Sequence, residues 1–408
     1  MLDIGAVHRR EYELGPAQKD VPAKGKGDKT GTETAEAAKP EGVFMAQAPG
    51  RVLFLGEHGG TGSSVFLAAA IDRCAKVAVS ARKDTALRFH ACDLNERKRT
   101  TMASLKYKRE DRWANHVKVA IQLFVDIGAP VKGLNFTLAG NIPRHVGLAS
   151  SCAVEVASAM ALRALLRSRI TEAEMARRLA DIHSLYFGVN KSAVDYVIGL
   201  SARADQFLLV DEATLGVTKI KSPFSRCKIV LADSRVPRLG IDDEIRSRRE
   251  DVAAALEALS QGRKKASLRD FAAPDIMDSM GNLPERIRRR SLHAVQDMRR
   301  AQDAAEALRK ADLAGFARLV FHSHESLRDL YEVSCPEIDW MVKRAQETQG
   351  VFGARMMGQG FGGCTYAIVR DDALAEYRHR LEDYERIFGF HPLFHEAGIS
   401  TGSRLVQA

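Results

Sequence analysis

What this 408-residue chain lacks narrows its class first. No uninterrupted apolar run approaches the ~18 residues of a membrane-spanning helix, and the opening "MLDIGAVHRREYELG" has no apolar core of signal-peptide length. The expectation is a cytoplasmic protein with no membrane partner. Cysteine is sparse. The six residues Cys74, Cys92, Cys152, Cys227, Cys335 and Cys364 are scattered without a CxxC pair, which argues against a zinc site or a disulfide framework and for reduced thiols. No internal repeat is visible, and 45% hydrophobic content in a chain this long suffices for a large core and two domains.

The net charge of +9 and pI near 9.2 raise the question of an anionic partner. Residues 1–42 carry seven Lys/Arg against eight Asp/Glu, so the surplus lies in the body of the chain. Its densest cluster is "ERIRRRSLHAVQDMRRAQDAAEALRK". Ile287, Ala294, Val295, Met298, Ala305 and Leu308 recur there at helical spacing, which predicts an amphipathic helix with most arginines on a solvated face. No nucleic-acid recognition motif accompanies it, and no nucleic-acid partner is expected.

Residues 12–42 are rich in Lys, Gly, Glu, Thr, Ala and Pro and nearly lack large apolar side chains, so they cannot offset the entropy lost on ordering. Residues 1–42 are therefore read as a disordered tail. From Val43 the pattern turns strand-like, with "VFMAQ", a turn at "APG", "VLFLG" and "KVAVSARKD". Helical patterns follow in "WANHVKVAIQLFVDIG", in Cys152–Arg167 and in "TEAEMARRLADIHSLYFG", and a second half begins near "CKIVLADS" and returns to a strand at "CTYAIVR". The mixture predicts an α+β fold.

The stretch "NIPRHVGLASSCAVEVASAMALRALL", Asn141 to Leu166, passes from a proline through a small-residue loop into an alanine-rich helix. Two readings stand side by side. The free N–H groups of a helix start attract anions, and small residues let a phosphate approach the backbone. Equally, serine is a preferred N-cap, and the apolar positions from Val154 to Leu166 are explained by burial.

Two further glycine-rich stretches, "APGRVLFLGEHGGTGSSVFLAAAI" and "ARMMGQGFGGCTYAIV", flank this one in the chain. Each alone is an ordinary turn signal. The three in this order resemble the GHMP superfamily of small-molecule kinases, which contains galactokinase, homoserine kinase, mevalonate kinase and phosphomevalonate kinase. Within it the resemblance to the galactokinases covers residues 43 to 405. "GRVLFLGEHGGTGSS" is similar to the family's "GRVNLIGEHTDYNGG" and "FGVNKSAVDY" to "VGVNCGIMDQ", while "WANHVKVAIQLF" and "SHESLRDLYEVSCPEIDWMV" match further segments.

The resemblance implies a two-domain GHMP kinase fold. Residues 43–220 would form an N-terminal domain like domain 2 of ribosomal protein S5, and 221–408 a ferredoxin-like C-terminal domain. It implies ATP-dependent phosphorylation of a sugar's anomeric hydroxyl with Mg²⁺. Asp195 falls at the catalytic aspartate and Arg51 at the arginine beside it; such an arginine lowers a carboxylate's pKa, though a structural ion pair would look the same. The phosphate loop would run from Pro143 to Ser151, with Gly147, Leu148, Ala149 and Ser150 offering N–H groups to ATP and Ser151 a ligand to Mg²⁺. Glu57 and His58 fall at sugar-hydroxyl ligands. Gly360 and Gly362, in the third motif (358–363), would lie against the loop and the substrate.

Departures from the family pattern carry as much information. The magnesium-binding glutamate twelve residues before the catalytic aspartate is His183 here, and imidazole is a poor Mg²⁺ ligand. The spacing of Met175, Leu179, Ile182 and Tyr186 places His183 at the edge of a buried helix face. A sugar-binding aspartate is Gly60, and a sugar-binding tyrosine is Ile245. Lys191 stands where a small or thiol residue is usual. Two sugar contacts fewer count against galactose itself, and one carboxylate fewer with one ammonium more favours an anionic acceptor such as a uronic acid, so the acceptor is read as galactose or a related, acidic sugar. The alternative is a nucleotide- and sugar-binding regulator with weak turnover.

Overall fold

The computed structural model describes residues 3–12, 42–59, 62–144, 146–260 and 267–407. In chain order these form α1 (Ile4–Glu11), β1 (Val43–Leu55), β2 (Val65–Ala81), β3 (Ala86–Ala91), β4 (Glu96–Thr101), α2 (Ala114–Asp126), β5 (Leu134–Gly140) and α3 (Ser150–Leu165). Then come α4 (Glu172–Phe187), α5 (Val194–Ser201), β6 (Gln206–Asp211), β7 (Val217–Lys221), β8 (Cys227–Asp233), α6 (Asp242–Leu259), α7 (Ala273–Met277) and α8 (Glu285–Arg309). The chain continues through α9 (Leu313–Ser326), α10 (Pro336–Gln346), β9 (Val351–Met356), β10 (Cys364–Arg370), α11 (Leu374–Arg380), α12 (Asp383–Phe388), β11 (Leu393–Ala397) and β12 (Arg404–Val406).

Two sheets carry this α+β architecture. The first has the order β12-β1-β2-β5-β3-β4, with β6 also on β2 and β7 on β6. Only its β3–β5 pairing is parallel. The second, β11-β8-β10-β9, is antiparallel throughout. Strand alternation sorts the faces of β1: Ala46 and Ala48 point into the main core with α3, and Met45 points to the opposite face.

That opposite face overturns part of the tail expectation, because residues 3–12 are ordered. Asp3 caps α1 by accepting from Gly5 and Ala6, Ile4 packs with Met45 and Ala78, and His8 lies fully buried between Thr137 Oγ1 and Ser80 Oγ at 2.9 Å each. One isoleucine and a hydrogen-bonded histidine suffice to dock this helix, which average composition does not register. The remainder of the expected tail, residues 13–41, lies outside the described residues.

The expected turn at "APG" is also absent. Val43–Leu55 is one strand, with a register shift between Pro49 and Arg51. A bulge gives proline a place in a strand and re-aims the next side chain. The arginine helix differs from a solvated face as well: Arg290 is buried against Asp251 at 2.5 Å, and Arg286 and Arg289 pair with Asp251 and Glu332. Arg286, Arg299 and Arg309 stay exposed, as the spacing predicts. Finally β12 returns to pair with β1, so the chain's end closes the first sheet.

Candidate active site

The phosphate-loop segment answers the question left open by its sequence. Gly147 and Ala149 both have left-handed backbone, at φ +83° and +57°, and Ala149 is the N-cap of α3. Among the described residues no side chain caps the helix. The serine-capped reading therefore falls, and the first N–H groups of α3 remain available to an anion. Pro143, Ser150 and Ser151 are half-buried, and Leu148 is buried.

The bulged strand β1 meets this loop. Arg51 N–H donates to the Leu148 carbonyl at 3.1 Å, and its Nη1 donates to the Gly147 carbonyl at 2.5 Å. Gly50 allows the approach, since a Cβ there would sit 3.1 Å from the Leu148 oxygen. Arg51 Nε reaches Asp195 Oδ1 at 2.7 Å, and Lys191 Nζ lies 2.5 Å from Asp195 Oδ2. Lys191, one turn before Asp195, keeps 24% of its side chain exposed. Burial alone would raise the Asp195 pKa, but the charges and hydrogen bonds of Arg51 and Lys191 outweigh it and hold the carboxyl far below the usual range. Cys152 Sγ is 3.9 Å from the same carboxylate, and burial pushes its thiol up to about 12.

Beside this cluster lies a second group of buried charges. Glu57 Oε1 accepts from Gly358 N–H at 2.9 Å, while Oε2 has no hydrogen-bond partner among the described residues. Burial pushes the Glu57 carboxyl up to about 7 against the pull of Arg355 and Arg51. His58 stacks on Tyr331 with ring centroids 4.8 Å apart, and its buried Nε2 is likewise unpartnered. Burial, reinforced by the neighbouring His293 and Arg355, keeps its pKa well below the ordinary value.

Sequence reasoning missed the residues behind them. Arg355 on β9 is fully buried, donates to the Phe54 carbonyl at 2.9 Å, and leaves Nε and Nη2 without hydrogen bonds among the described residues. Asp297 on α8 accepts from Gly56 N–H at 2.9 Å and Ser323 Oγ at 2.5 Å. Burial opposes its ionisation, yet Arg355, His293 and Arg300 bring its pKa to about 2. Such a set of orphaned buried atoms suits a ligand rich in hydroxyls.

The third glycine motif touches the phosphate loop at one place. A Cβ on Gly147 would lie 3.6 Å from Gly358 Cα. At Gly360 and Gly362, expected against the substrate, an added side chain would strike protein: a Cβ would meet the Val333 oxygen at 2.5 Å and Val236 Cβ at 2.8 Å. Their backbone at φ +95° and +115° favours glycine too. Ile245 is buried, and Gly60 lies outside the described residues.

His183 is buried as its spacing predicts, but not idle. Its Nδ1 is 2.8 Å from Glu155 Oε1, and His116 Nδ1 reaches the same oxygen at 2.7 Å. Tyr196 donates to Glu155 Oε2 at 2.5 Å. Burial would raise the Glu155 pKa, but the two histidines bring it down to about 2. Glu155 gave no signal in the sequence beyond being a charged residue on an apolar helix face.

Comparison with known proteins places this geometry. The GHMP kinases N terminal domain matches residues 115–202, and the GHMP kinases C terminal family matches 304–385. A Treponema pallidum (strain Nichols) protein is 37% identical over 377 residues, covering 90% of this chain and 93% of its own. The galactokinase of Roseiflexus sp. (strain RS-1) is 34% identical, covering 83% and 86% of the two chains. The crystal structure of Lactococcus lactis galactokinase complexed with galactose superposes with a TM-score of 0.83 at 26% identity, over 89% of this chain and 95% of that one. With identity this high along nearly the whole length and both halves matched, the chain belongs to the galactokinase family of GHMP kinases and is a sugar kinase.

Proposed function

We propose that the protein transfers the γ-phosphoryl group of ATP to the anomeric hydroxyl of galactose or a closely related, acidic sugar. The observation that carries this reading is the Arg51–Asp195–Lys191 cluster standing against the uncapped start of α3. The N–H groups of Gly147, Leu148, Ala149 and Ser150 and the Ser151 hydroxyl would hold the phosphates, with Pro143 opening the loop. The sugar oxygen attacks the γ-phosphorus as the bond to ADP breaks, and the hydroxyl proton leaves with the phosphate or to solvent. Asp195 is too weak a base to take that proton early, so its part is to orient the hydroxyl by electrostatics. Arg51 ties that carboxylate to the phosphate loop and shields the transferring charge. Glu57 and His58, with unpartnered atoms, would meet the sugar's hydroxyls.

The side chains do not make the Mg²⁺ site that the family pattern implies. Ser151 contributes a hydroxyl, but position 183 is an imidazole, and Glu155 and Asp195 have both oxygens engaged. Mg²⁺ prefers oxygen ligands, so no step is assigned to an ion held by the protein.

The acidic-sugar part rests on Lys191, whose side chain is partly exposed and whose ammonium adds a cation beside Asp195. A panel of neutral and acidic hexoses, scored by ADP release, tests the reading. Turnover of a uronic acid above that of galactose, with the preference reversed by Lys191→Ala, supports it. Turnover of galactose alone, unaltered in preference by Lys191→Ala, removes the acidic substrate and keeps the kinase. ATP binding without phosphorylation of any sugar overturns both.

A further inference from the structure

We propose that His116, Glu155 and His183 form a binding site for a divalent transition-metal ion of the Zn²⁺ and Co²⁺ type. The three residues come from three helices, α2, α3 and α4, and their ligand atoms all lie within 4.8 Å of one another. Both Nδ1 atoms already converge on one carboxylate oxygen, at 2.7 and 2.8 Å. An ion about 2.0–2.1 Å from each ligand needs those atoms about 3.3 Å apart, so small side-chain shifts admit it. Two imidazoles and one carboxylate are a donor set that suits zinc-like ions and not Mg²⁺.

The surroundings resemble those of a built metal site. Tyr196 donates to the other oxygen of Glu155 at 2.5 Å and fixes the carboxylate's orientation. Phe187 packs on both imidazoles, with ring centroids 4.7 and 4.6 Å away, and forms an apolar wall. Glu155 is wholly buried, while His116 keeps 19% of its side chain exposed, giving a way in and an open coordination position. A buried carboxylate requires positive charge nearby. The imidazoles supply it only when protonated, and an ion supplies it with both of them neutral.

The site is independent of the kinase reading, because it takes the ion without nucleotide or sugar. The test is a titration of chelator-treated full-length protein with Co²⁺ alone, followed by visible absorption. The expected result is one ion per chain, with a d–d band that Zn²⁺ removes and millimolar Mg²⁺ leaves unchanged. His183→Ala and His116→Gln should each abolish the band, and Tyr196→Phe should weaken binding about tenfold. Two different histidine variants guard against one that fails to fold, and circular dichroism checks each. Binding that survives both histidine variants overturns the proposal. So does a near-ultraviolet thiolate band, which would place the ion on cysteine, or the absence of any Co²⁺ band in the natural protein. The acceptor panel measures sugar phosphorylation separately, so a failed titration leaves the proposed kinase reaction standing.

Discussion

Glu57 shows how much chemistry one residue's surroundings can set. Its carboxyl is pushed to about 7 by burial, so the folded chain holds a proton there that the unfolded chain releases near 4.5. The sign follows: this group stabilises the fold fully below about pH 4.5, and its contribution is lost as pH rises through 7. Glu57→Gln keeps an oxygen for Gly358 N–H and removes the titration. Thermal melts should therefore find the variant equal to the natural protein at pH 5 and more stable at pH 8, by up to about 3 kcal/mol. A constant difference across that range would show that Glu57 is ionised throughout. At this scale the sequence was legible where a motif carried the residue, as with Arg51, Glu57 and Asp195. Asp297, His293 and Glu155 were not, because they are single charges within helices of apolar and charged residues, and only the packing of distant elements makes them neighbours.

Among the elements, β1 and α3 matter most, and each departs from its sequence pattern where it meets the site. Pro49 and Gly50 read as a turn, yet β2 runs alongside the whole of β1 and holds both in one strand as a bulge. Propensity gave way to pairing. In α3 the sequence allowed a serine cap as readily as an anion site, and the loop enters with Ala149 in left-handed backbone and no serine cap. Alanine in that conformation costs about 1 kcal/mol relative to glycine. Ala149→Gly should thus stabilise the free protein by up to about that amount in denaturant melts. Ala149→Val should destabilise it and weaken ATP binding, read by calorimetry. A valine variant that binds ATP normally would detach the loop conformation from phosphate binding. Helix α1 was missed for a different reason: eight residues held by two buried side chains stand out poorly beside a long polar stretch.

Across the whole molecule one backbone atom takes two hydrogen bonds from the second sheet, beside the bond from Arg73 on β2 to the Glu396 carbonyl on β11. The Phe54 carbonyl on β1 accepts from Arg355 on β9 at 2.9 Å and from Tyr366 on β10 at 2.7 Å. Sequence separations of 301 and 312 residues explain why no local pattern foretold the junction. The α+β class and the helices α2, α3, α4 and α8 were legible from periodicity, whereas the crossing of β12 into the first sheet was not, since a three-residue strand carries no period. Arg355→Met removes the fully buried cation that Asp297 and Glu57 share, leaving Asp297 with Arg300 and Glu57 with Arg51. It should cost about 3–5 kcal/mol of stability in urea melts and raise the KM for sugar more than that for ATP. Equal stability would mean that the junction holds without Arg355, through Tyr366, Arg73 and apolar packing. In the proposed reaction Asp195, ionised between Arg51 and Lys191, directs phosphoryl transfer from ATP to a sugar. Its most direct test compares Asp195→Asn with the natural protein by ³¹P NMR of the sugar phosphate formed, alongside calorimetric titration with ATP. The account predicts a sugar 1-phosphate from the natural protein and a rate at least a thousandfold lower in the variant, about 4 kcal/mol in the barrier. ATP affinity should be unchanged or higher, since two cations are freed. A variant within tenfold of the natural rate would contradict the account.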